Sequence, residues 1–460
     1  MIDIIISCYH DLTKECEVQM TEGVVWKKIV GFAIPLLLGN LFQQLYNTVD
    51  SIVVGNFCGN DALAAVTSSG SLCHLFIGFF QGVFVGASVI IAHSYGAKDN
   101  EKVNKVIHTT IWFSVILGIV LSVLGVIFTP TLLHMMGTPE NVMPNSVAYF
   151  KIYCAGLLGL VLYNTSNGIF QALGDSKHPL YYLIISSITN VILDLLLVGG
   201  FDMGVAGAAL ATIISQFFSA MLGFAYLMSG KFVVKVDIRK VLKPDFTLLK
   251  QVIGMGFPSG IQNSVTAIAN VVVQSNINAF GEAAMAGCGS YMKIQGFVFL
   301  PIMSLSMALS TFISQNLGAK KIERVKKGTK EATVLAVILA QIFGIFMYFH
   351  APIFVRLFSK ETEVIAYGVQ YSKIDSLFYF ALALSHMGAA ILRGSGRTKI
   401  PMMVFLLDWC VFRILYIIFM VRLIPDIRTV ISAYPVTWFI SAVIFMAIVL
   451  KGDWLKKKIL

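Results

Sequence analysis

Four polar residues stand in otherwise apolar stretches of the first half of this chain, and their oxygen atoms could hold a small cation. They are Asp50, Asn190, Asp194 and Thr212. Because Asn190 and Asp194 are four residues apart, a helix would place both on one face. Two carboxylates, an amide and a hydroxyl form a set of hard oxygen ligands, and burial also favours the protonated form of a carboxyl group. The set therefore suits either Na+ or a proton, unless each aspartate only hydrogen-bonds to neighbouring helices.

The second half of the chain has different charged residues in its apolar stretches. Burying a charge at the centre of a membrane helix costs roughly 2.5 to 3.5 kcal/mol, so such residues need a reason. Lys293 and Asp375 could relieve this cost by forming an ion pair, either as a structural contact or as a conformational latch. Arg413 is a third charged residue of this kind.

Uncharged polar residues in the apolar stretches could line an aqueous cavity between the two halves of the chain. Interhelical hydrogen bonding explains such residues equally well. The residues concerned are Gln43, Asn47, Asn164, Asn167, Asn263 and Asn270.

The elements that must position these side chains are membrane-spanning helices. The chain has 460 residues, of which 57% are hydrophobic and only 13% are charged, so it has more apolar surface than a soluble fold can bury. A helical span needs roughly 20 mostly apolar residues, and about twelve stretches meet this requirement. They lie near 27–56, 62–93, 106–129, 145–173, 178–200, 205–229, 248–280, 283–315, 331–354, 363–392, 399–423 and 429–450.

The distribution of positive charge predicts the orientation of these spans. The formal net charge is +10, and most of the 34 Lys and Arg residues collect in alternate connections between spans. Basic connections of this kind stay in the cytoplasm, so both termini are predicted to be cytoplasmic in a plasma-membrane protein. A nucleic-acid partner is then unnecessary to explain the charge.

The second half of the chain repeats the first. SYGAK at 94–98 returns as NLGAK at 316–320, and GDSKHP at 174–179 returns as GRTKIP at 396–401. Upstream the shift is one residue longer, and Pro35 falls on Pro258. Each half has six spans, an even number, which predicts two six-helix bundles of the same orientation related by an axis along the membrane normal.

The repeat also predicts the domain boundaries, because a basic segment joins the two halves. The predicted parts are an N-terminal extension (1–19), a first six-helix lobe (20–229), a cytoplasmic linker (230–247), a second six-helix lobe (248–450) and a basic cytoplasmic tail (451–460). Met20, directly before the first span, is an alternative start of translation.

The polar set of the first half is not repeated in the second. At the repeat shift, the counterparts of Asp50, Asn190 and Asp194 are Val273, Phe412 and Tyr416. If both halves descend from one unit, the carboxylate site is present in only one of them.

Signatures of enzymes and of resident cofactors are absent from the sequence. There is no HExxH or GxSxG motif, and GSGRTK at 394–399 lacks the spacing of a phosphate-binding loop. The histidines show no metal-ligand spacing, and the seven cysteines include no CxxC pair. We therefore expect a protein that is not an enzyme, has no cofactor and takes its energy from an ion gradient or the membrane potential.

Over residues 20–451 the sequence resembles the multidrug and toxic compound extrusion (MATE) family. The resemblance is carried by PLLLGNLFQQLYNTVDSIVVG (35–55), QNLGAKK (315–321) and ILRGSGRTKIP (391–401). It implies a V-shaped pair of bundles with a central cavity that opens alternately to either side of the membrane. Members of the family exchange Na+ or protons for organic cations, drugs and other amphipathic compounds, and a monomer is sufficient for this mechanism.

The resemblance is closer to the DinF-like than to the NorM-like pattern within the family. The DinF-like pattern implies a coupling site in the first lobe, and its residues match Asp50, Asn190, Asp194 and Thr212. The NorM-like pattern relies on a Glu in the seventh helix, but the seventh helix here, PSGIQNSVTAIAN (258–270), contains no acid. Two alternatives remain: a lipid-linked oligosaccharide flippase of the same superfamily, and a membrane receptor or scaffold without a transport cycle.

Overall fold

The computed structural model describes residues 19–230 and 234–455, and in the first helix some side chains between positions 51 and 75 lie outside this description. Every regular element within the described residues is a helix, as the composition predicts. The predicted N-terminal extension, apart from residue 19, and the last five residues of the predicted tail lie outside the described residues.

The first half of the chain contains helices α1 to α7. They are α1 Val25–Gly96, α2 Asn100–Met135, α3 Met143–Ala155, α4 Leu157–Ala172, α5 Lys177–Asp194, α6 Gly204–Met228 and the short α7 Ile238–Val241. A π-helical turn, Leu195–Gly200, continues α5 directly after Asp194.

The second half contains helices α8 to α15. They are α8 Phe246–Asn278, α9 Glu282–Gly318, α10 Ile322–Val355, α11 Thr362–Asp375, α12 Tyr379–Gly394, α13 Lys399–Val404, α14 Arg413–Leu423 and α15 Ile427–Leu450. A second π-helical segment, Phe405–Phe412, joins α13 to α14, and a single 3-10 turn, Ser376–Phe378, joins α11 to α12.

The helices lie where the sequence predicts membrane spans. In the described residues, ten segments are long and apolar enough to cross a membrane, and α3 with α4, which meet at a bend of 48°, make an eleventh when taken together. The remaining predicted span, 248–280, coincides with α8. Gln262, Asn263 and Asn270 lower the mean hydropathy of this helix.

The connection between the first two predicted spans differs from the sequence-based prediction. The predicted spans 27–56 and 62–93 require a short loop between them, after Phe57, but the backbone is helical from Val25 to Gly96, so this prediction is wrong. Gly59 is the strongest helix breaker at this point, and a glycine costs only about 1 kcal/mol relative to alanine in a helix interior. The two apolar segments, Val25–Cys58 and Phe76–Gly96, remain separate along α1.

Contacts divide the described chain into two compact units that differ from the predicted lobes. The N unit is Leu38–Phe257, and the C unit combines the described residues up to Leu37 with the segment from Pro258 onward. The divisions fall close to Pro35 and directly before Pro258, the two prolines that the repeat superimposes. A proline inside a helix removes one backbone hydrogen bond, so both divisions lie where the helix is weakened.

The start of the described chain is tied to the C unit by hydrogen bonds. The Arg324 guanidinium donates to the backbone carbonyls of Met20, Glu22 and Gly23 at 2.6 to 3.3 Å. The Met20 backbone N–H donates to the Gln315 side chain at 3.1 Å. These contacts join residues about 300 positions apart and explain why the beginning of the chain belongs to the C unit.

Small residues position the helices of the N unit around α5 and α6. Val53 and Val54 of α1 share one buried core with Val198 of the π turn and with Ala208 of α6. Gly207 of α6 allows this close packing, because a Cβ atom there would lie 3.1 Å from the backbone of Leu197. The N unit therefore brings α1, the π turn after α5 and α6 together at one place.

Candidate ion-binding site

Asn190 and Asp194 lie on one face of α5, at its end. Both are buried, and the Asp194 side chain has no exposed surface. The polar atoms of Asn190 and both carboxylate oxygens of Asp194 make no hydrogen bond to the described residues. Because the backbone changes to a π-helical turn immediately after Asp194, the site stands at an irregularity of the kind often found at functional positions.

Asp50 of α1 meets this face of α5. Asp50 is 8% exposed, its Oδ1 atom makes no hydrogen bond to the described residues, and its carboxyl group lies close enough to that of Asp194 to interact with it electrostatically. Two residues 144 positions apart in sequence, each predicted from its charge alone, thus belong to one site.

Thr212 completes the predicted set from α6, which packs along α5. Its hydroxyl is buried and donates to the carbonyl of Ala208, one turn earlier, at 3.1 Å. The Thr212 hydroxyl proton is engaged in this hydrogen bond, but the lone pairs of the hydroxyl oxygen stay available to a donor or a cation. The structure therefore places all four predicted residues on the three elements that the core of the N unit holds together.

Two tyrosines belong to the same neighbourhood and escape the sequence reasoning. Tyr46 lies one turn before Asp50 and interacts with both carboxyl groups and with Tyr163 of α4. Gln43 lies beside Tyr46, and Asn167 lies beside Tyr163, so two residues predicted to line a cavity adjoin the aspartates. The sequence did contain one signal for Tyr46, because this residue has a polar hydroxyl and lies one helical turn before the acidic residue Asp50.

The charge of this site is not balanced by a basic side chain. Within the described residues, neither Asp50 nor Asp194 forms an ion pair with Lys, Arg or His. Two adjacent buried carboxylates repel one another, and both cannot remain ionised without a positive charge. The described residues contain no cluster of three or more His, Cys, Asp or Glu side chains for a multivalent metal. A proton or a small cation is a species that this arrangement can hold.

The other predicted cavity residues are distributed over both units. Asn164 donates to the carbonyl of Leu160 in its own helix at 2.8 Å, and Asn47 is half-buried on α1. Asn263 and Asn270 lie on α8 in the C unit, where the Asn270 side chain accepts from Arg413 at 3.3 Å. A role of these residues in a cavity stays a prediction.

The predicted ion pair between Lys293 and Asp375 is not formed. Lys293 is exposed and lies over the ring of Phe358 at 5.9 Å, whereas Asp375 is fully buried and accepts a hydrogen bond from Gln295. Residues 293 and 295 are two positions apart and therefore point to different sides of α9. The helix that brings Gln295 to Asp375 turns Lys293 away from it.

Asp408 is a buried acid that the sequence reasoning missed. It lies in the π-helical segment Phe405–Phe412, is 4% exposed and makes no hydrogen bond through either carboxylate oxygen within the described residues. Its neighbours include Arg413 and Ser441. As the one acidic residue of the apolar stretch 399–423, it carries the same signal that identifies Asp50 and Asp194.

Comparison with protein families explains the repeat. A model of the MatE family matches residues 35–196 and again residues 258–419, so the two matches begin at Pro35 and Pro258. The chain belongs to the MatE family. The two matches of this MatE protein confirm the duplication, and the membership confirms the resemblance described from the sequence.

Relatives of this MatE protein extend along most of its length. The probable multidrug resistance protein YoeA of Bacillus subtilis is 33% identical over 383 residues, covering 82% of this chain and 83% of YoeA. The probable multidrug resistance protein YpnP of the same organism is 27% identical over 393 residues, covering 85% of this chain and 88% of YpnP.

Solved MATE structures have the same fold as this MatE protein. A crystal structure of MATE in complex with MaL6 superimposes with a TM-score of 0.89 at 24% identity, covering 96% of this chain and 99% of the other. An outward-facing multidrug resistance MATE transporter of the MOP superfamily gives the same TM-score, identity and coverage. These likenesses confirm the predicted all-helical membrane fold with its two-lobe repeat, whereas the DinF-like assignment stays a prediction.

Proposed function

We propose that this protein exports drugs and other amphipathic or cationic compounds in exchange for Na+ or protons by alternating access. Family membership and relatives named as multidrug resistance proteins support drug export. The absence of enzyme motifs from the sequence leaves an ion gradient as the source of energy. No cofactor is needed for such exchange, and a monomer in the lipid bilayer is sufficient.

The observation that carries this proposal is the pair of buried carboxyl groups, Asp50 and Asp194. With both carboxyl groups ionised the pair is electrostatically unfavourable, and one bound Na+ or proton neutralises one of its two negative charges. Binding of Na+ or a proton therefore changes the free energy of the N unit, and a conformation that admits the ion is favoured by its binding. Asn190 and Thr212 supply further oxygen ligands when the ion is Na+.

The direction of transport follows from the proposed orientation. The positive-inside distribution of Lys and Arg supports a plasma-membrane protein with both termini in the cytoplasm. Ions then enter the site from outside and are released inside, while the exported compound moves outward.

Efflux from cells tests the role of the two aspartates. We expect Asp50→Asn and Asp194→Asn each to abolish ion-driven efflux of a fluorescent organic cation at unchanged amounts of membrane-inserted protein. Asp202→Asn is the matched control, because Asp202 is exposed and the same carboxyl group is converted to an amide. Undiminished efflux by Asp50→Asn, with its ion dependence intact, would remove the central claim.

Transport measured in proteoliposomes that contain the purified protein distinguishes Na+ coupling from proton coupling. The same assay separates drug export from the rival functions. Uptake driven by a Na+ gradient at equal pH indicates Na+ coupling, and uptake driven only by a pH gradient indicates proton coupling. Bound Na+ also stabilises the folded state by RT ln(1 + [Na+]/Kd), so a Na+-dependent rise in melting temperature should vanish in Asp194→Asn. No counterflow of the cation under any gradient would favour a receptor or scaffold, and movement of a lipid-linked sugar instead would favour a flippase.

A further inference from the structure

The C unit contains a second group of buried charges, formed by Asp375, Asp408 and Arg413. Asp375 ends α11, Asp408 lies in the π-helical segment Phe405–Phe412, and Arg413 begins α14. Asp375 and Arg413 have no exposed surface, and Asp408 is 4% exposed. Arg413 lies close enough to interact electrostatically with both carboxyl groups. We call these three residues the C-unit triad.

The guanidinium of Arg413 is oriented by groups other than the two aspartates. It donates to the Thr437 hydroxyl at 2.6 and 3.2 Å and to the Asn270 side chain at 3.3 Å. It also lies over the rings of Trp409 and Tyr434, at 5.1 and 4.6 Å. The charge of Arg413 is therefore fixed in place without a direct ion pair to either carboxyl group.

The carboxyl groups lack donors for most of their oxygen atoms. Gln295 donates to one oxygen of Asp375, but Asp375 Oδ1 and both oxygens of Asp408 make no hydrogen bond within the described residues. An ionised carboxylate in this condition is disfavoured, because burial removes a charge from bulk solvent and few donors compensate for it. The buried hydroxyls of Tyr371 and Tyr434 are likewise without a partner among the described residues, although both rings pack beside this group.

The charges of the triad do not cancel. One guanidinium neutralises one carboxylate, which leaves one negative charge in a buried environment. The other ionisable neighbours do not alter this balance, since phenols and thiols are neutral at pH 7. These neighbours are Cys288, Tyr291, Tyr371, Tyr379 and Tyr434. His386, 5.6 Å from the Trp409 ring, is buried, and burial disfavours a positive charge on its imidazole, as does the neighbouring Arg393.

We propose that the C-unit triad binds one proton, independently of the ion held by Asp50 and Asp194 in the N unit. A proton requires only one carboxyl oxygen, whereas Na+ needs several oxygen ligands and would have to bind near a fixed guanidinium. In the second repeat the guanidinium of Arg413 supplies one permanent positive charge for the two carboxyl groups. The bound proton neutralises the remaining negative charge. The proposal does not depend on drug export.

Charge balance predicts opposite effects for the acidic and the basic member of the triad. When either carboxyl group is removed, the positive charge of Arg413 balances the negative charge of the other. No proton is then needed, so the bound proton is lost in Asp375→Asn and in Asp408→Asn. Removing the guanidinium leaves two uncompensated carboxyl groups, so Arg413→Gln binds two protons instead of one. A merely structural role for these residues does not predict an additional proton.

Infrared spectroscopy of the purified full-length protein in lipid at neutral pH measures these protons through the carbonyl band of a protonated carboxyl group. The starting protein is the double variant Asp50→Asn, Asp194→Asn, which has no carboxyl group in the N-unit site. We expect one deuterium-sensitive band, its loss on adding Asp375→Asn or Asp408→Asn, and a twofold intensity on adding Arg413→Gln. Glu363→Gln, an exposed carboxyl-to-amide change in the same unit, should leave the band unchanged.

Three results that concern the triad directly would overturn the proposal. They are absence of the band from the starting protein, its persistence in both Asn variants, and its disappearance when Na+ is added at constant pH. Loss of the band in His386→Gln alone would assign the proton elsewhere and would also contradict it. If Arg413→Gln fails to fold, the two nearly isosteric Asn variants still decide the question.

Discussion

Asp194 is the residue at which stability and function are expected to conflict. Its carboxyl group is fully buried beside that of Asp50, and neither of its oxygens has a hydrogen-bond donor among the described residues. Such a residue destabilises the folded protein unless a cation is bound. The proposed binding of an ion would explain why the chain contains it.

Replacing Asp194 by Asn should therefore stabilise the protein while it abolishes coupling. We expect the free energy of unfolding in the absence of Na+ at neutral pH to rise by about 1 to 3 kcal/mol, because the variant removes one of two adjacent buried carboxyl groups that repel one another. Thermal unfolding of the purified protein in detergent measures this. Asp202→Asn, an exposed control, should change stability by less than about 0.5 kcal/mol. A clear loss of stability in Asp194→Asn would show that its carboxyl group is a structural contact.

The candidate site residues that stand out by their charge could be identified from the sequence, and their role in ion binding stays a prediction. Asp50 and Asp194 are conspicuous because a charged residue in an apolar span is costly, and Asn190 and Thr212 followed from the family resemblance as well as from spacing. Tyr46 was not predicted, because an aromatic residue in a membrane helix is ordinary until its neighbour is known. The pairing of Lys293 with Asp375 was wrong, since choosing a partner requires the rotation of α9, which the sequence does not define.

At the scale of the helices, most of the fold follows from apolar length and turn residues. The positions of the spans could be predicted from runs of apolar residues alone. The repeat predicted how the spans are grouped into two halves. The two π-helical segments, Leu195–Gly200 and Phe405–Phe412, were not predicted, because they depend on packing rather than on a sequence signal. They stand at different positions in the two repeats, and each adjoins or contains a buried aspartate.

Two glycines of α8 provide a direct test of helix packing. A Cβ atom on Gly256 would overlap the backbone carbonyl of Val83 in α1, whereas a Cβ atom on Gly254 would meet nothing within 4 Å. We expect Gly256→Ala to lower the free energy of unfolding by about 1 to 3 kcal/mol, because two backbones must separate. We expect Gly254→Ala to raise it by up to about 1 kcal/mol, through the higher helix propensity of alanine.

Thermal unfolding of the two alanine variants, prepared and measured in parallel, decides this prediction. The change is chemically identical and the positions are two residues apart on one helix, so lipid and detergent effects are matched. Equal stability of the two variants would mean that α1 and α8 are not in backbone contact at Gly256.

At the scale of the whole molecule, the compact units do not coincide with the halves of the repeat. The predicted lobes 20–229 and 248–450 assign each half its own first helix, but the start of α8 belongs to the N unit and the start of α1 to the C unit. A repeat in sequence records descent, whereas a compact unit is defined by contacts, and a proline in each first helix lies close to the point where the contacts change. The assignment of the start of α1 to the C unit and of the start of α8 to the N unit could not be predicted from one sequence.

The predicted linker accordingly contributes to the N unit rather than only joining two lobes. Residues 231–233 lie outside the described residues, but the backbone N–H of Asp237 donates to His108 of α2 at 2.9 Å. The backbone N–H of Asp245 donates to the Thr109 hydroxyl at 3.1 Å. Phe246, at the start of α8, packs edge-on against Trp112 at 6.0 Å.

These contacts predict that a fragment ending at residue 229 is incomplete. We expect the fragment 1–280, which contains all of α8, to resist limited proteolysis in membranes better than the fragment 1–229, because only the longer one contains the segment that packs on α1 and α2. The fragment 1–280 carrying Gly256→Leu is the control of equal length: a large side chain against Val83 should make it as sensitive as 1–229. Equal resistance of 1–229 and unmodified 1–280 would show that the first predicted lobe folds without the start of α8, and that the repeat alone defines the folding unit.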